Sequence, residues 1–275
     1  MNAFTVDVEE WFHVCGVGGP LNAANWTHLP SRVVSTTRRL LDLLNAAQIP
    51  ATFFVVGWVA ERHPDLVQEI VAAGHIVGSH SHLHRKVFEL TPDEFERDLD
   101  TCSAAIVAAG APRPAAFRAP EWSIDDRAPW ALEALAGRGF TTDASMAPVR
   151  LVGRVDSPRI PHVRSTPRGA IVEVPPFVVD RFGQVMPLGW GWALRMSSPA
   201  RVLKSMALAN RAGRPAVLTV HPWEIDPDPP RVTLPPRLRF AHYFRLSGFE
   251  ARLKNIMHNA PFTTLTALAA SARAS

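Results

Sequence analysis

The chain has 275 residues, a length that suits one large α/β domain or two small ones. Of these residues, 47% are hydrophobic and 20% are charged. Its formal net charge is only +4, and its basic residues, mostly arginine, are scattered without a run of five, so a nucleic-acid partner is not expected. No apolar stretch approaches the ~20 residues of a membrane span.

Short apolar strands alternate with helical segments along the chain. The sequence predicts strands at residues 4–6, 51–56, 76–79, 116–118, 140–143, 171–174 and 216–220. One helix is predicted to begin at Ser31. Further helices are predicted over residues 61–73, 92–109, 126–136, 198–210 and 246–257. Residues 146–168 and 222–236 are rich in proline, so we expect loops there.

About seven β–α units in one chain predict an α/β fold in which a parallel sheet closes into a barrel. We expect one domain over residues 1–275, with residues 222–275 as a C-terminal extension packed on it. Catalytic groups of such barrels gather at the carboxyl ends of the strands. The residues at those ends therefore decide the functional interpretation.

The predicted strand ends carry carboxylates, imidazoles and one arginine. They are Asp7, Glu9 and Glu10 after the first strand, His80 and His84 after the third, Arg118 and Glu121 after the fourth, Asp143 at the fifth and His221 after the last. Each has an ordinary structural explanation on its own, but their coincidence at strand ends favours a site. His80 and His84 are four residues apart and could be directed at one metal ion.

Four segments in this order resemble the polysaccharide deacetylases of carbohydrate esterase family four, the NodB-homology group. They are Thr5-Val6-Asp7, His80-Ser81-x-x-His84, Phe117-Arg118-x-Pro120 and Leu218-x-x-His221. Residues 5–13 and 221–226 are similar to the branch found beside exopolysaccharide and exosortase gene clusters. The resemblance spans nearly the whole chain. It implies a distorted (β/α) barrel and metal-dependent hydrolysis of an N-acetyl amide on a sugar.

The resemblance also implies roles for individual residues. Asp7 matches the catalytic base, Arg118 the residue that holds the base, and His221 the acid that protonates the leaving amine. His80 and His84 match two ligands of one divalent ion, expected to be zinc, which lowers the pKa of bound water. A further position, Leu218, is expected to line the pocket for the acetyl methyl group.

The first motif departs from the family pattern. Val8 stands where the family has a second aspartate that binds the metal, and the branch pattern offers Glu9 or Glu10 instead. On an extended strand Asp7 and Glu9 share a face while Glu10 points away. We therefore expect Glu9 to be the third ligand and keep Glu10 as the alternative.

Several further residues are candidates for contact with the substrate. Pro120, Glu121 and Trp122 follow the arginine motif and could touch sugar. Tryptophan rings stack on sugar faces but are also common in cores, so either role is open for Trp190 and Trp192. The roles of three more stay open: His13 could form the cleft floor, Ser81 could bond the loop or the substrate, and Asp143 could orient His221 or Arg118.

Two other functions fit parts of the pattern. A metal-independent hydrolase of a small cyclic amide would share the fold, although His80, His84 and Arg118 argue against it. Val8 would also suit a saccharide-binding relative that has lost activity. The leading expectation is an N-deacetylase whose partner is an N-acetylated saccharide, namely an exopolysaccharide or its precursor; the oligomeric state stays open.

The cysteines and the N-terminus bear on location. Cys15 and Cys102 are the only cysteines; two cysteines so far apart do not form a disulfide framework, and a reducing compartment is the simpler interpretation. Met1 and Asn2 lead directly into a predicted strand, without a charged segment and an apolar segment before it. The expected location is the cytoplasm.

Overall fold

The computed structural model describes residues 1–150 and 152–273; Leu151, Ala274 and Ser275, which the expected single domain includes, lie outside them. The strands are β1 (Asn2–Val8), β2 (Thr52–Val55), β3 (Ile76–Ser79), β4 (Ala116–Phe117), β5 (Thr142–Asp143), β6 (His162–Thr166), β7 (Gly169–Glu173), β8 (Val178–Arg181), β9 (Gln184–Pro187), β10 (Val217–Val220) and β11 (Phe262–Thr263). The helices are α1 (Val33–Ala46), α2 (Gly57–Arg62), α3 (Pro64–Ala72), α4 (Pro92–Ala108), α5 (Ala131–Gly137), α6 (Gly191–Met196), α7 (Pro199–Arg211), α8 (Pro236–Tyr243), α9 (Phe249–His258) and α10 (Leu265–Arg273).

The main sheet has the order β10-β1-β2-β3-β4-β5-β7-β6, with β11 also paired to β1, and it curls into a half-barrel. All its pairs are parallel except β6 with β7. The predicted α/β class and distorted barrel are confirmed. The expected closure of the sheet is not found, because the strand path runs from β10 at one edge to β6 at the other within the described residues.

The described residues hold four strands beyond the expected seven, in three segments: β6, the pair β8 and β9, and β11 beside β1. Strand β6 lies in residues 146–168, expected to be a loop, and pairs antiparallel with β7. Its side chains are exposed or half-buried, so no apolar run marks it in the sequence. Strands β8 and β9 form a separate antiparallel hairpin.

Helix boundaries follow local chemistry. A capping box begins α4, since Glu94 N–H donates to Thr91 Oγ1 and Thr91 N–H donates to the Glu94 carboxylate. The helix predicted at 61–73 is two helices, α2 and α3. Pro64 begins α3 at the first helical position, where its missing N–H and fixed φ are tolerated.

The segment after β10 packs onto the barrel. Helix α9 buries Phe249, Leu253 and Ile256 in the same apolar core as Phe4 of β1. Strand β11 adds to the sheet beside the start of β1. No helix in the described part of the chain is long and apolar enough to cross a membrane.

Candidate active site

A cavity of about 300 Å³ opens where β1, β3 and β10 end. This volume is at the lower end of the range for small-molecule sites. The cavity is lined by Asp7, Glu9, Trp11, His13, Val14, His80, His84, Ala119, Glu121, Trp122, Val152, Trp190, Gly191, Trp192, Arg195, His221, Trp223, Glu224, Leu238, Ala241 and His242.

Glu9, His80 and His84 form a group that could hold a metal ion. One ligand atom of each lies within 4.8 Å of the others, and all three residues are buried. Glu9 Oε2 lies 2.5 Å from His84 Nε2 and 3.8 Å from His80 Nε2. One carboxylate and two imidazoles are a donor set that suits zinc at a catalytic site with an open fourth position.

The second nitrogen of each histidine has a partner that orients its ring. His80 Nδ1 lies 2.8 Å from the carbonyl oxygen of Arg118. His84 Nδ1 lies 3.5 Å from Cys15 Sγ, and the Cys15 thiol donates to the carbonyl of His84 itself at 3.2 Å. Such outer contacts fix the tautomer and leave Nε2 for the ion. The two histidines therefore fit a metal ion by their surroundings as well as by their spacing.

The loop after β3 is held in an unusual backbone conformation. Ser81 and His84 have φ values of 66° and 51°, in the left-handed region. Asp98 of α4 stabilises this loop by accepting bonds from Ser81 Oγ at 3.1 Å and from His82 N–H at 2.9 Å. Ser81 thus serves the loop, and His82 faces Glu61 rather than the cavity.

Of the two glutamates after β1, the structure brings Glu9 to the imidazoles. The carboxylate of Glu10 instead accepts bonds from Ser31 Oγ and from Arg32 N–H at the start of α1. Val8 packs in the apolar core, on the opposite side of β1 from Asp7. The pleat of β1 explains why Val8 and Asp7 face opposite sides, and the chain turns after the strand, where Glu9 N–H donates to the carbonyl of Asp7 at 3.1 Å.

Asp7 is fixed by Arg118, which is 1% exposed. Arg118 Nη1 donates to Asp7 Oδ1 at 2.9 Å, to Thr5 Oγ1 at 2.7 Å and to Thr219 Oγ1 at 3.1 Å. The guanidinium also lies over the ring of Phe54, 4.5 Å from its centroid. The other oxygen, Asp7 Oδ2, is left to face the site.

His221 is oriented by a buried carboxylate that the sequence analysis did not single out. Glu224 Oε2 lies 3.0 Å from His221 Nδ1, and Glu224 Oε1 accepts from Arg195 Nε at 2.9 Å. Burial alone would lower the pKa of His221, but Glu9 and Glu224 raise it to about 9. His221 is therefore protonated at neutral pH in the metal-free protein.

The buried charges of the metal group shift one another. Burial alone would raise the pKa of Glu9, but His84 and His221 lower it. Burial alone would also lower the pKa of His84, yet Glu9 and Cys15 raise it well above its ordinary value. For His80 burial dominates and lowers the pKa to about 4. An anionic Glu9 and a neutral His80 are the forms that bind a metal ion.

Two expected substrate contacts, Leu218 and Pro120, do not line the cavity, and Asp143, whose role the sequence left open, bonds a serine. Leu218 does not line the cavity: it is fully buried in the apolar core, because Thr219 takes the side of β10 that faces Arg118. Pro120 is buried at the start of a 3-10 turn and also lies outside the cavity lining. Asp143 contacts neither His221 nor Arg118; it accepts a bond from Ser145 Oγ.

The other expected contacts lie around the cavity. Trp122 and Trp190 pack against each other with ring centroids 4.5 Å apart, and Trp192 lines the wall beside them. His13 lines the cavity with its ring 5.8 Å from that of His84. Glu121 also lines the cavity and pairs with a lysine at the rim.

Sequence reasoning missed Glu224, Arg195, Trp223 and His242, all of which line the cavity. Trp223 and Glu224 belong to the His-Pro-Trp-Glu segment that carries part of the branch resemblance. That segment is the feature of the sequence that could have identified them as site residues. Arg195 and His242 lie in short helices without a motif.

Two family profiles match adjacent parts of the chain. Residues 27–139 match the profile described as polysaccharide deacetylase, which confirms the resemblance for that segment. Residues 144–270 match the profile described as Domain of unknown function (DUF3473).

Curated relatives match over shorter stretches. The chain is 38% identical over 73 residues to a chitooligosaccharide deacetylase of Rhizobium leguminosarum bv. trifolii, covering 26% of this chain and 34% of the relative. It is 29% identical over 98 residues to a peptidoglycan-N-acetylglucosamine deacetylase of Bacillus cereus, covering 35% of this chain and 36% of the relative. This chain spans only about a quarter to a half of the length of the curated relatives it matches.

Solved structures share the fold over nearly the whole chain. A Mycobacterium smegmatis protein provisionally named a polysaccharide deacetylase superposes with a TM-score of 0.65 at 22% identity, covering 99% of this chain and 89% of the other. The allantoinase PuuE superposes with a TM-score of 0.61 at 17% identity, covering 99% of this chain and 90% of the allantoinase. At these identities the likeness shows the fold alone.

Proposed function

We propose that the chain is a metal-dependent N-deacetylase that removes acetyl groups from an amino-sugar-containing saccharide. The observation that carries the proposal is the position of Asp7 Oδ2, which lies 3.9 Å from His80 Nε2 and 3.9 Å from His221 Nε2. A candidate base, a candidate acid and a group that could hold a metal ion thus surround one cavity, an arrangement suited to metal-assisted amide hydrolysis. The similarity to relatives named as deacetylases supports this choice.

The residues divide the reaction between them. A bound divalent ion, which we propose to be zinc, supplies Lewis acidity and a water of lowered pKa. Asp7, held at Oδ1 by Arg118, presents Oδ2 to accept the proton of the attacking water. His221, held by Glu224, donates a proton to the amine as the carbon–nitrogen bond breaks, because an amine leaves poorly as an anion.

The cavity walls support a sugar as the substrate. Trp122, Trp190 and Trp192 line one side, and aromatic faces pack well against the C–H faces of a sugar ring. We propose an exopolysaccharide or its precursor as the natural substrate, on the sequence similarity of residues 5–13 and 221–226 to the exopolysaccharide branch.

The test is acetate release from a panel of N-acetylated saccharides, measured with and without a chelator and after addition of zinc. We expect release that chelation abolishes and zinc restores. Ring opening of allantoin serves as the counter-assay, because an allantoinase shares the fold. Metal-independent opening of this cyclic amide, with no acetate from any saccharide, would contradict the proposal.

A further inference from the structure

Helix α8 contributes one histidine to the cavity wall. His242 is 7% exposed and lines the cavity, and its Nε2 has no hydrogen-bond partner among the described residues. Leaving a buried polar atom unpaired is unfavourable, because the atom has lost its hydrogen bonds to water. An unpaired nitrogen at a cavity wall is therefore a position where a ligand can supply the missing partner.

The ring of His242 is held in place from two sides. It stacks on Trp223 with centroids 4.2 Å apart, and Trp223 stacks in turn on His221 at 5.3 Å. Trp223 Nε1 also donates to Glu9 Oε1 at 3.1 Å. His242 thus belongs to the same ring stack as the proposed acid.

The backbone of His242 is fixed as well. Arg195, which pairs with Glu224, donates to the carbonyls of Ala241, His242 and Phe244 at the end of α8. One buried guanidinium therefore connects this helix end to the carboxylate that orients the proposed acid. A binding residue on such an anchored helix end needs little ordering when the ligand arrives.

Two other buried ring nitrogens of the cavity lining, His13 Nε2 and Trp122 Nε1, have no hydrogen-bond partner among the described residues. A mainly aromatic cavity with a few polar atoms binds a ligand by its apolar faces and orients it by its hydrogen bonds. Sugars offer both kinds of surface. Burial lowers the pKa of His242 to about 4, so the neutral ring can donate or accept a bond at neutral pH.

We propose that His242 binds a hydroxyl group of the sugar that carries the scissile acetamido group. This deepens the proposed deacetylase function and rests on it. It assigns a substrate contact to α8, in a part of the chain outside the motifs that carry the family resemblance.

The test is steady-state acetate release by zinc-loaded His242→Phe protein with tetra-N-acetylchitotetraose. Phenylalanine keeps a ring to stack on Trp223 but removes both nitrogens. We expect KM to rise about 3- to 10-fold, the loss of one ordinary hydrogen bond, with kcat within twofold and zinc content unchanged. His242→Gln, which retains an amide donor and acceptor, should recover most of the loss.

Phe240→Leu is the matched control, since Phe240 is an exposed residue of the same helix outside the cavity lining. An unchanged KM in His242→Phe, or a loss of zinc or kcat with KM unchanged, would overturn the assignment. If His242→Phe fails to fold, a KM for His242→Gln equal to that of His242→Ala would overturn it as well. If the wild-type protein releases no acetate from any saccharide, the proposed function fails and the assignment fails with it.

Discussion

The two halves of the chain supply the site in different ways. The N-terminal half, residues 1–143, places Asp7, His80 and Arg118 at the carboxyl ends of regular parallel strands. The C-terminal half, from residue 144 onward, supplies Glu224 from a 3-10 turn and His242 from the short helix α8. Chemistry thus depends on strand ends, and the orientation of the acid and the shape of the cavity depend on irregular segments. Substitution of a strand-end residue in the proposed mechanism, including His221 after β10, should stop the reaction, and substitution of Glu224 or His242 should weaken it.

The largest effect is expected at Asp7. Asp7→Asn removes the proposed base but preserves the side chain's size, so acetate release should fall by about 10²–10⁴-fold. Zinc content should stay at the wild-type level, because Asp7 is outside the Glu9–His80–His84 group. Circular dichroism checks the fold. Wild-type release from this variant would rule out the base role.

The second-largest effect is expected at Glu9, with the adjacent Glu10 as its control. Glu9→Gln weakens the proposed ligand set, so zinc affinity should fall by more than about 100-fold, beyond the usual effect of an outer-shell change. Glu10→Gln is the matched control: Glu10 bonds the start of α1, so this variant should keep its zinc. Competition with a chromogenic chelator measures both. Equal zinc affinities in the two variants would show that Glu9 is not a metal ligand.

A smaller loss is expected at Glu224. In Glu224→Gln the rate should fall by about 10- to 100-fold, since His221 loses its orienting carboxylate but is itself retained. Glu224 raises the pKa of His221, so without its negative charge the imidazole should lose its proton at lower pH. The alkaline limb of the pH–rate profile should therefore shift to lower pH.

Glu121→Gln provides the comparison for that measurement, because Glu121 lines the cavity but pairs with Lys86. Its profile should keep the wild-type alkaline limb. An alkaline limb that stays in place in Glu224→Gln would mean that Glu224 does not act through His221.

The smallest effect is expected at Cys15. Cys15→Ala removes the thiol that contacts His84 Nδ1, and zinc affinity should fall by about 10-fold. Cys102→Ala is the control, since Cys102 bonds Ser79 and lies outside the metal group. Zinc titration of both variants decides the point, and an unchanged affinity in Cys15→Ala would exclude the orienting role.

Much of the N-terminal half could be predicted from the sequence. Apolar strands bounded by glycine and helix caps locate the strand ends, and the two-residue alternation of a strand puts Glu9 on the face of Asp7. The same alternation, applied to β10, would have placed Leu218 in the core, because His221 and Thr219 share the opposite face. The family resemblance and the strand pattern thus give different positions for Leu218, and the structure agrees with the strand pattern.

The C-terminal half could not be predicted to the same depth. Helix α8 begins at Pro236 after a proline-rich stretch and has no clear apolar periodicity, so nothing indicated that His242 reaches the cavity. Glu224 is brought to His221 by a 3-10 turn rather than by a strand end. Asp143, which does end a strand, pairs with Ser145 instead of the acid. Contacts of this kind depend on tertiary packing, which residue spacing does not encode.

We propose that this cavity removes acetyl groups with one metal ion bound by Glu9, His80 and His84. The most direct test is acetate release from an N-acetylated saccharide while zinc is titrated into metal-free protein. We expect release to rise from background to a plateau at one zinc per chain, and Glu9→Gln protein to require far more zinc. Full release from the metal-free protein, or none at zinc saturation across the saccharide panel, would contradict a metal-dependent deacetylase.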